Sequence, residues 1–155
     1  MAAKLRGVRA AWCFGMWVLL LTGVGCTRFQ AEPPQEFATY EQKSPFRAVS
    51  PDGVVFRVRA EKNKPRAELP FWKEALKKRM VDAGYHFVSE KDIKADGKSG
   101  YLIELAAPLG TQDYTYMIAL FQNEDHLVIV ESAGEISRFS ARRDAVMAAL
   151  DKLKF

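Results

Sequence analysis

Cysteine and histidine are scarce: two of each occur in 155 residues. His86 and His126 have no Cys or His neighbour at metal-ligand spacing, so both read as ordinary strand residues and no metal is expected. Of the cysteines, Cys13 falls inside an apolar run and Cys26 just past it, so the rest of the chain holds no thiol and no possible disulfide. Long hydrophobic runs are short too. The uncharged stretch from Ala10 to Gly25 is 16 residues, below the ~20 that span a bilayer comfortably. Catalytic signatures fail one by one. There is no Gly-x-Ser-x-Gly elbow. Gly97-Lys98-Ser99 imitates the end of a phosphate-binding loop, but Asp92 stands where its first glycine belongs. Asp92, Asp96 and Gly97 imitate a calcium loop, but Lys94 and Ile103 occupy positions that need oxygen ligands. No enzyme activity and no cofactor are therefore expected.

What the N-terminus does hold is patterned. Lys4, Arg6 and Arg9 come first, then the apolar run with Trp12, Phe14, Trp17 and Val18 to Leu21, then small residues. These are the three parts of a secretory signal. Leu21-Thr22-Gly23-Val24-Gly25-Cys26 resembles the lipobox of bacterial lipoproteins, with Gly25 before the cysteine and Gly23 departing from the usual leucine-like residue. The resemblance covers the first 26 residues. It implies that residues 1–25 are removed, that Cys26 carries three fatty-acyl chains (palmitate among them), and that the protein is held at a membrane by lipid. Thr27, in place of Asp, implies the outer membrane facing the periplasm, with the inner membrane as the alternative. The residues by themselves also allow an ordinary signal peptide or an uncleaved anchor.

Once the three basic residues of the signal are set aside, 20 Lys and Arg face 19 Asp and Glu, a net of +1 from a formal +4. So balanced a chain gives no reason to expect nucleic acid as partner. The charges are unevenly placed, however. Arg57 to Arg79 holds nine basic residues and three acids, and Asp113 to Glu135 holds five acids without Lys or Arg. Such a dipole could turn a basic side toward anionic headgroups or an acidic partner. Alternatively, the two segments neutralise each other across the fold.

Four of the seven prolines lie between Thr27 and Asp52 without helical or alternating period, so residues 26–52 read as the lipidated cysteine and an extended tether, with Pro45 to Val49 as a possible packed arm. The folded domain is expected over 53–155. Ser50-Pro51-Asp52-Gly53 is turn chemistry, and Val54 to Ala60 alternates, placing Val54, Phe56 and Val58 on one face and Arg57 and Arg59 on the other. A helix is predicted over Leu69 to Ala83, with an apolar stripe from Leu69 through Trp72, Leu76 and Met80, and Glu74 spaced to pair with Lys78. Further strands are expected at Tyr85–Ser89, Tyr101–Ala107, Asp113–Gln122 and His126–Glu131, with Ala95 to Gly100 as a loop. Tyr114 to Phe121 is apolar on both faces and should be a central strand. Ser140 could cap a last helix burying Val146, Ala149, Leu150 and Leu153.

The fold class is α+β, a mainly antiparallel sheet with two principal helices packed on it. This order, ending in a strand pair that leads through Ser132-Ala133-Gly134 into a terminal helix, resembles the PsbP-like fold shared by DcrB-type lipoproteins. The resemblance covers about Phe46 to Phe155. It implies a non-catalytic binding or scaffold domain with an envelope protein partner, and it transfers no site residue. A small envelope hydrolase or ligand-carrying enzyme is the alternative, and Tyr101, Tyr114, Tyr116, Phe121 and Trp72 could line a pocket, though aromatics at such spacing more often form core.

Overall fold

The computed structural model describes residues 28–41, 45–109, 112–123 and 125–155. The signal segment and Cys26, with the acylation expected there, lie outside the described residues.

Seven strands form one antiparallel sheet: β1 (Ala38–Thr39), β2 (Phe46–Val49), β3 (Val55–Lys62), β4 (His86–Ala95), β5 (Lys98–Leu109), β6 (Gln112–Asn123) and β7 (His126–Glu135). Across the sheet they run β1-β2-β3-β7-β6-β5-β4. Helix α1 (Leu69–Asp82) links β3 to β4, and α2 (Ile136–Asp151) follows β7. Strand alternation sends successive side chains to opposite faces, so the sheet has two apolar sides and each takes one helix. Phe56, Val58, Met117, Ala119, Phe121, Val128 and Val130 meet Phe139, Val146, Ala149 and Leu150 of α2. On the other face a smaller cluster of Tyr101, Ile103, Leu105 and Ile118 meets Leu76 and Met80 of α1. The expected fold class is the observed one. Val146, Ala149, Leu150 and Leu153 are all buried, and β6 is an interior strand with core on both faces.

The largest departure lies upstream of residue 53. The proline-rich stretch read as a tether is folded onto the domain. Gln30 forms an antiparallel bridge with Lys154, Phe37 and Ala48 are buried in the main core, and Phe29, Ala31 and Phe46 pack against it. Arg142 of α2 holds the segment by ion pairs to Glu36 and, at 3.2 Å, to Asp52. Aperiodic sequence therefore belongs to the domain because α2 and β3 supply the burial that its own pattern does not announce.

Smaller differences have local causes. Ala95–Gly100 is a two-residue hairpin, not a loop: Asp96 (φ 48°) and Gly97 (φ 75°) both adopt left-handed conformations, the geometry that matches strand twist in a tight turn. β4 is twice the length expected, because Glu90, Lys91, Asp92 and Lys94 are charged residues that suit a solvated edge while Ile93 packs against the core; a bulge between Phe87 and Ser89 interrupts it. β5 continues through Pro108, since β4 pairs no further than Ala106 and leaves its outer side open. β7 runs to Glu135, whose carboxylate accepts hydrogen bonds from the Ser137 (3.0 Å) and Arg138 (3.4 Å) amides and starts α2 five residues before the expected Ala141. Lys78 pairs with Asp82 at 2.8 Å rather than with Glu74.

Candidate functional site

α1 is held unusually lightly. None of its residues is fully buried, and it packs on β5 and β6. Asn63, itself buried, fixes the approach: its side-chain oxygen accepts from Trp72 Nε1 (2.8 Å) and the Ala67 amide (3.2 Å), while its NH2 donates to the Ala67 carbonyl (2.9 Å). Farther along, polar ties do the work. Lys73 pairs with Asp92, Lys77 with Glu90 at 3.2 Å, and the Lys73 ammonium stands 5.1 Å from the centre of the Tyr101 ring. Tyr101 donates to Glu90 at 2.5 Å. That bond first, then Lys77, holds the Glu90 carboxyl below the usual range. Between α1 and β4 two shallow clefts of about 480 and 380 Å³ share Pro70, Lys73 and Asp92. Lys73 and Asp92, which line both clefts, pair with each other.

Beside α1 the same sheet face continues over β7 and β3, where no helix covers it among the described residues. Glu131 is the centre of this shelf. Its carboxylate, 16% exposed, accepts from Tyr116 Oη (2.8 Å) and Arg59 Nε (3.2 Å), with Arg57 Nη1 at 3.6 Å. Tyr85 stacks tilted on Tyr116 at 5.5 Å. Val55 is 46% exposed on the open side, and Arg57 Nε has no hydrogen-bond partner among the described residues. The register explains the meeting, since β3 pairs Arg57 directly with Glu131. A half-buried carboxylate with all its neighbours donating is a fixed acceptor, and the Arg57 side chain, 40% exposed, is what the shelf offers to an incoming group.

Burial first, then Glu131, raises the Tyr116 phenol above its usual value near 10; burial, then Glu90, raises Tyr101. A phenol whose folded pKa is raised stabilises the fold fully below the unfolded pKa, and this contribution is lost as pH climbs beyond it. Absorbance titration at 295 nm should therefore show two of the five tyrosines still protonated above pH ~10 in the folded chain, with stability declining from there upward. Ionisation of all five in one step, with the fold intact, would contradict these environments.

The sequence-derived candidates are scattered. His86 is exposed on the edge strand β4, and His126 has its Nδ1 2.8 Å from Asp125, with no hydrogen-bond partner for its buried Nε2 among the described residues. No group of three His, Cys, Asp or Glu residues able to hold a metal occurs among the described residues. Gly97 to Ser99 opens β5, and Asp96 binds Lys154 and the Phe155 amide. The aromatic set divides: Tyr101 and Tyr116 lie on the α1 side, Phe121 in the opposite core. Glu131 was not among the candidates. Its only signal is an acid alternating between Ile129 and Ala133 in an otherwise apolar strand. As for the charged segments, Arg57 and Arg59 meet Glu131, but α1 lysines pair with β4 acids instead, and Lys62, Lys64 and Arg66 enter no ion pair among the described residues.

No family profile and no curated sequence matches the chain. Solved structures do. LpqN, involved in cell envelope biogenesis of Mycobacterium tuberculosis, has a TM-score of 0.66 at 8% identity, over 81% of this chain and 82% of its own. Cyanobacterial PsbP (CyanoP) from Synechocystis has a TM-score of 0.56 at 12% identity, over 85% and 95%. The Pseudomonas aeruginosa protein PA94, of unknown function, has a TM-score of 0.59 at 10% identity, over 75% and 94%. At these identities the likeness concerns the fold, and the fold is PsbP-like.

Proposed function

We propose that this chain is a cell-envelope lipoprotein, acylated at Cys26, whose PsbP-like domain binds a protein partner and performs no catalysis. The observation that carries the binding role is the uncovered shelf of Arg57, Arg59, Val55, Tyr116 and Glu131 beside α1, which joins a fixed charge network to exposed apolar surface. The likeness to an envelope-biogenesis protein supports the location, as does the lipobox-like segment ending at Cys26. Thr27 after the cysteine favours the periplasmic leaflet of the outer membrane.

A photo-crosslinking residue at Val55 in intact cells should capture one recurrent envelope protein. The same probe at Ser140, exposed on the far side of α2, should not. Arg57→Ala should weaken the Val55 adduct by about tenfold, the effect of losing one charge-assisted hydrogen bond of ~1.5 kcal/mol. Equal capture from both positions would sink the assignment of this surface.

A further inference from the structure

The length of chain between anchor and fold determines which end of the domain meets the membrane; this step rests on acylation at Cys26. Gln30 and Lys154 exchange backbone hydrogen bonds of 2.9 and 3.0 Å, so the chain is fastened to the domain from Gln30 onward. Thr27, Arg28 and Phe29 alone separate the two points. At no more than ~3.6 Å per residue, Gln30 cannot stand farther than ~14 Å from Cys26. β5 and β6, of 12 residues each, are ~40 Å long. The tether is therefore much shorter than the domain.

The Gln30–Lys154 bridge marks one end of the sheet. The β4–β5 turn is there, with Asp96 clasped by Lys154 Nζ (3.2 Å) and the Phe155 amide (3.1 Å). So are the β6–β7 turn and the exit of β3, joined by the Asn63 amide donating to the Asp125 carbonyl at 2.8 Å. Arg28, Lys62, Lys64, Arg66, Lys94, Lys98, Lys152 and Lys154 gather at this end, against Glu32, Glu61, Glu68, Asp96, Asp125 and Asp151. Among the described residues only Lys152 and Lys154 of those eight are in ion pairs, with Glu32 and Asp96. At the opposite end the balance reverses, with Glu36, Asp52, Asp82, Asp113 and Glu135 against Lys78, Arg79, Arg138 and Arg142. The charge asymmetry and the short tether point the same way.

We propose that the end carrying Lys62, Lys64, Arg66, Lys94 and Lys98 docks on anionic headgroups of the membrane that holds Cys26. The strands then stand on the bilayer, the shelf beside α1 faces sideways along the surface, and the start of α2 points away. Basic side chains act on a charged surface only within a Debye length, ~8 Å at physiological salt, a range that the ~14 Å limit on the anchor places within reach.

The test uses mature protein whose acylation has been verified by mass spectrometry, so that failure of the lipoprotein reading is recognised separately. It is reconstituted in vesicles of phosphatidylcholine with or without phosphatidylglycerol. With the signal removed and Cys26 acylated, Asp125→Cys and Arg138→Cys each give a single site for a fluorescent donor, and the acceptor is carried on the lipid headgroups. The two ends are ~30 Å apart along the strands, so transfer should be at least about threefold greater from position 125. This difference should shrink in ~1 M salt, where the Debye length is ~3 Å, in vesicles without phosphatidylglycerol, and in the triple variant Lys62→Glu, Lys64→Glu, Lys98→Glu. Equal transfer from both ends overturns the orientation. A difference indifferent to salt, lipid charge and the triple variant overturns the headgroup contact.

Discussion

Replacing Cys26 by serine should move the protein from a wash-resistant membrane fraction to the soluble periplasm. The expected effect is close to complete because of how acyl binding scales. Each buried CH₂ contributes ~0.8 kcal/mol, so one chain binds reversibly, whereas several make the anchor effectively permanent. Serine cannot carry the thioether, and with it all the chains are lost. Among the described residues no helix is long and apolar enough to cross a membrane, so the domain offers no helical substitute. The basic end proposed to touch headgroups would leave only a weak, salt-sensitive association. Intact mass separates the possible results. A soluble variant lacking residues 1–25 supports the lipid anchor. A variant that stays on the membrane at unchanged mature mass would show that something other than the lipid holds it, and a wild-type Cys26 without acyl mass would end the lipoprotein reading.

That experiment has a second use, because only three residues separate Cys26, the proposed anchor, from Gln30, where the chain is already fastened to the domain. Had residues 26–52 been a free tether, the domain could have swung tens of ångströms from the bilayer. Instead Phe29, Phe37, Phe46 and Ala48 pack on the core, and the prolines between them shape a strap along α2. This was hidden in the sequence because one burying partner, the α2 face, is far away along the chain, and the other, Phe56, meets Phe46 and Ala48 only through strand register. Where burial repeats locally, sequence and structure agree: Phe56 and Val58 on one face of β3 with Val54 just before it, Val146, Ala149 and Leu150 on α2. Glu90 to Lys94 concealed an edge strand because a solvated edge requires the polar residues that otherwise mark a loop. The shelf was invisible for a related reason. Arg57 and Glu131 become neighbours only through strand register, which no spacing along the chain encodes.

Phe121→Ala should be the most damaging single change in the domain, costing about 3–5 kcal/mol of stability out of a total on the order of 5–15 kcal/mol. The ring is fully buried beneath α2's side of the sheet and packs on Phe155 with centroids 5.2 Å apart. It also lies across Gly100, its partner on β5: a β-carbon added there would come within 2.5 Å of Phe121 Cε1. Gly100→Ala alone should therefore cost about 1–3 kcal/mol through overpacking. In the Phe121→Ala background the new methyl group enters vacated space, so the double variant should be more stable than the sum of the single effects by a comparable amount. Urea unfolding measures all four proteins. Trp72 is the sole tryptophan beyond residue 17, so its emission reports on the α1 side of the sheet. Strict additivity would refute the packing of the ring over Gly100. The damage should also be directional. Phe155 adjoins Lys154, which bridges Gln30, so loss of the Phe121 ring should speed amide exchange at Gln30 and Lys154 before exchange rises in α1, loosening the strap at its Gln30 end.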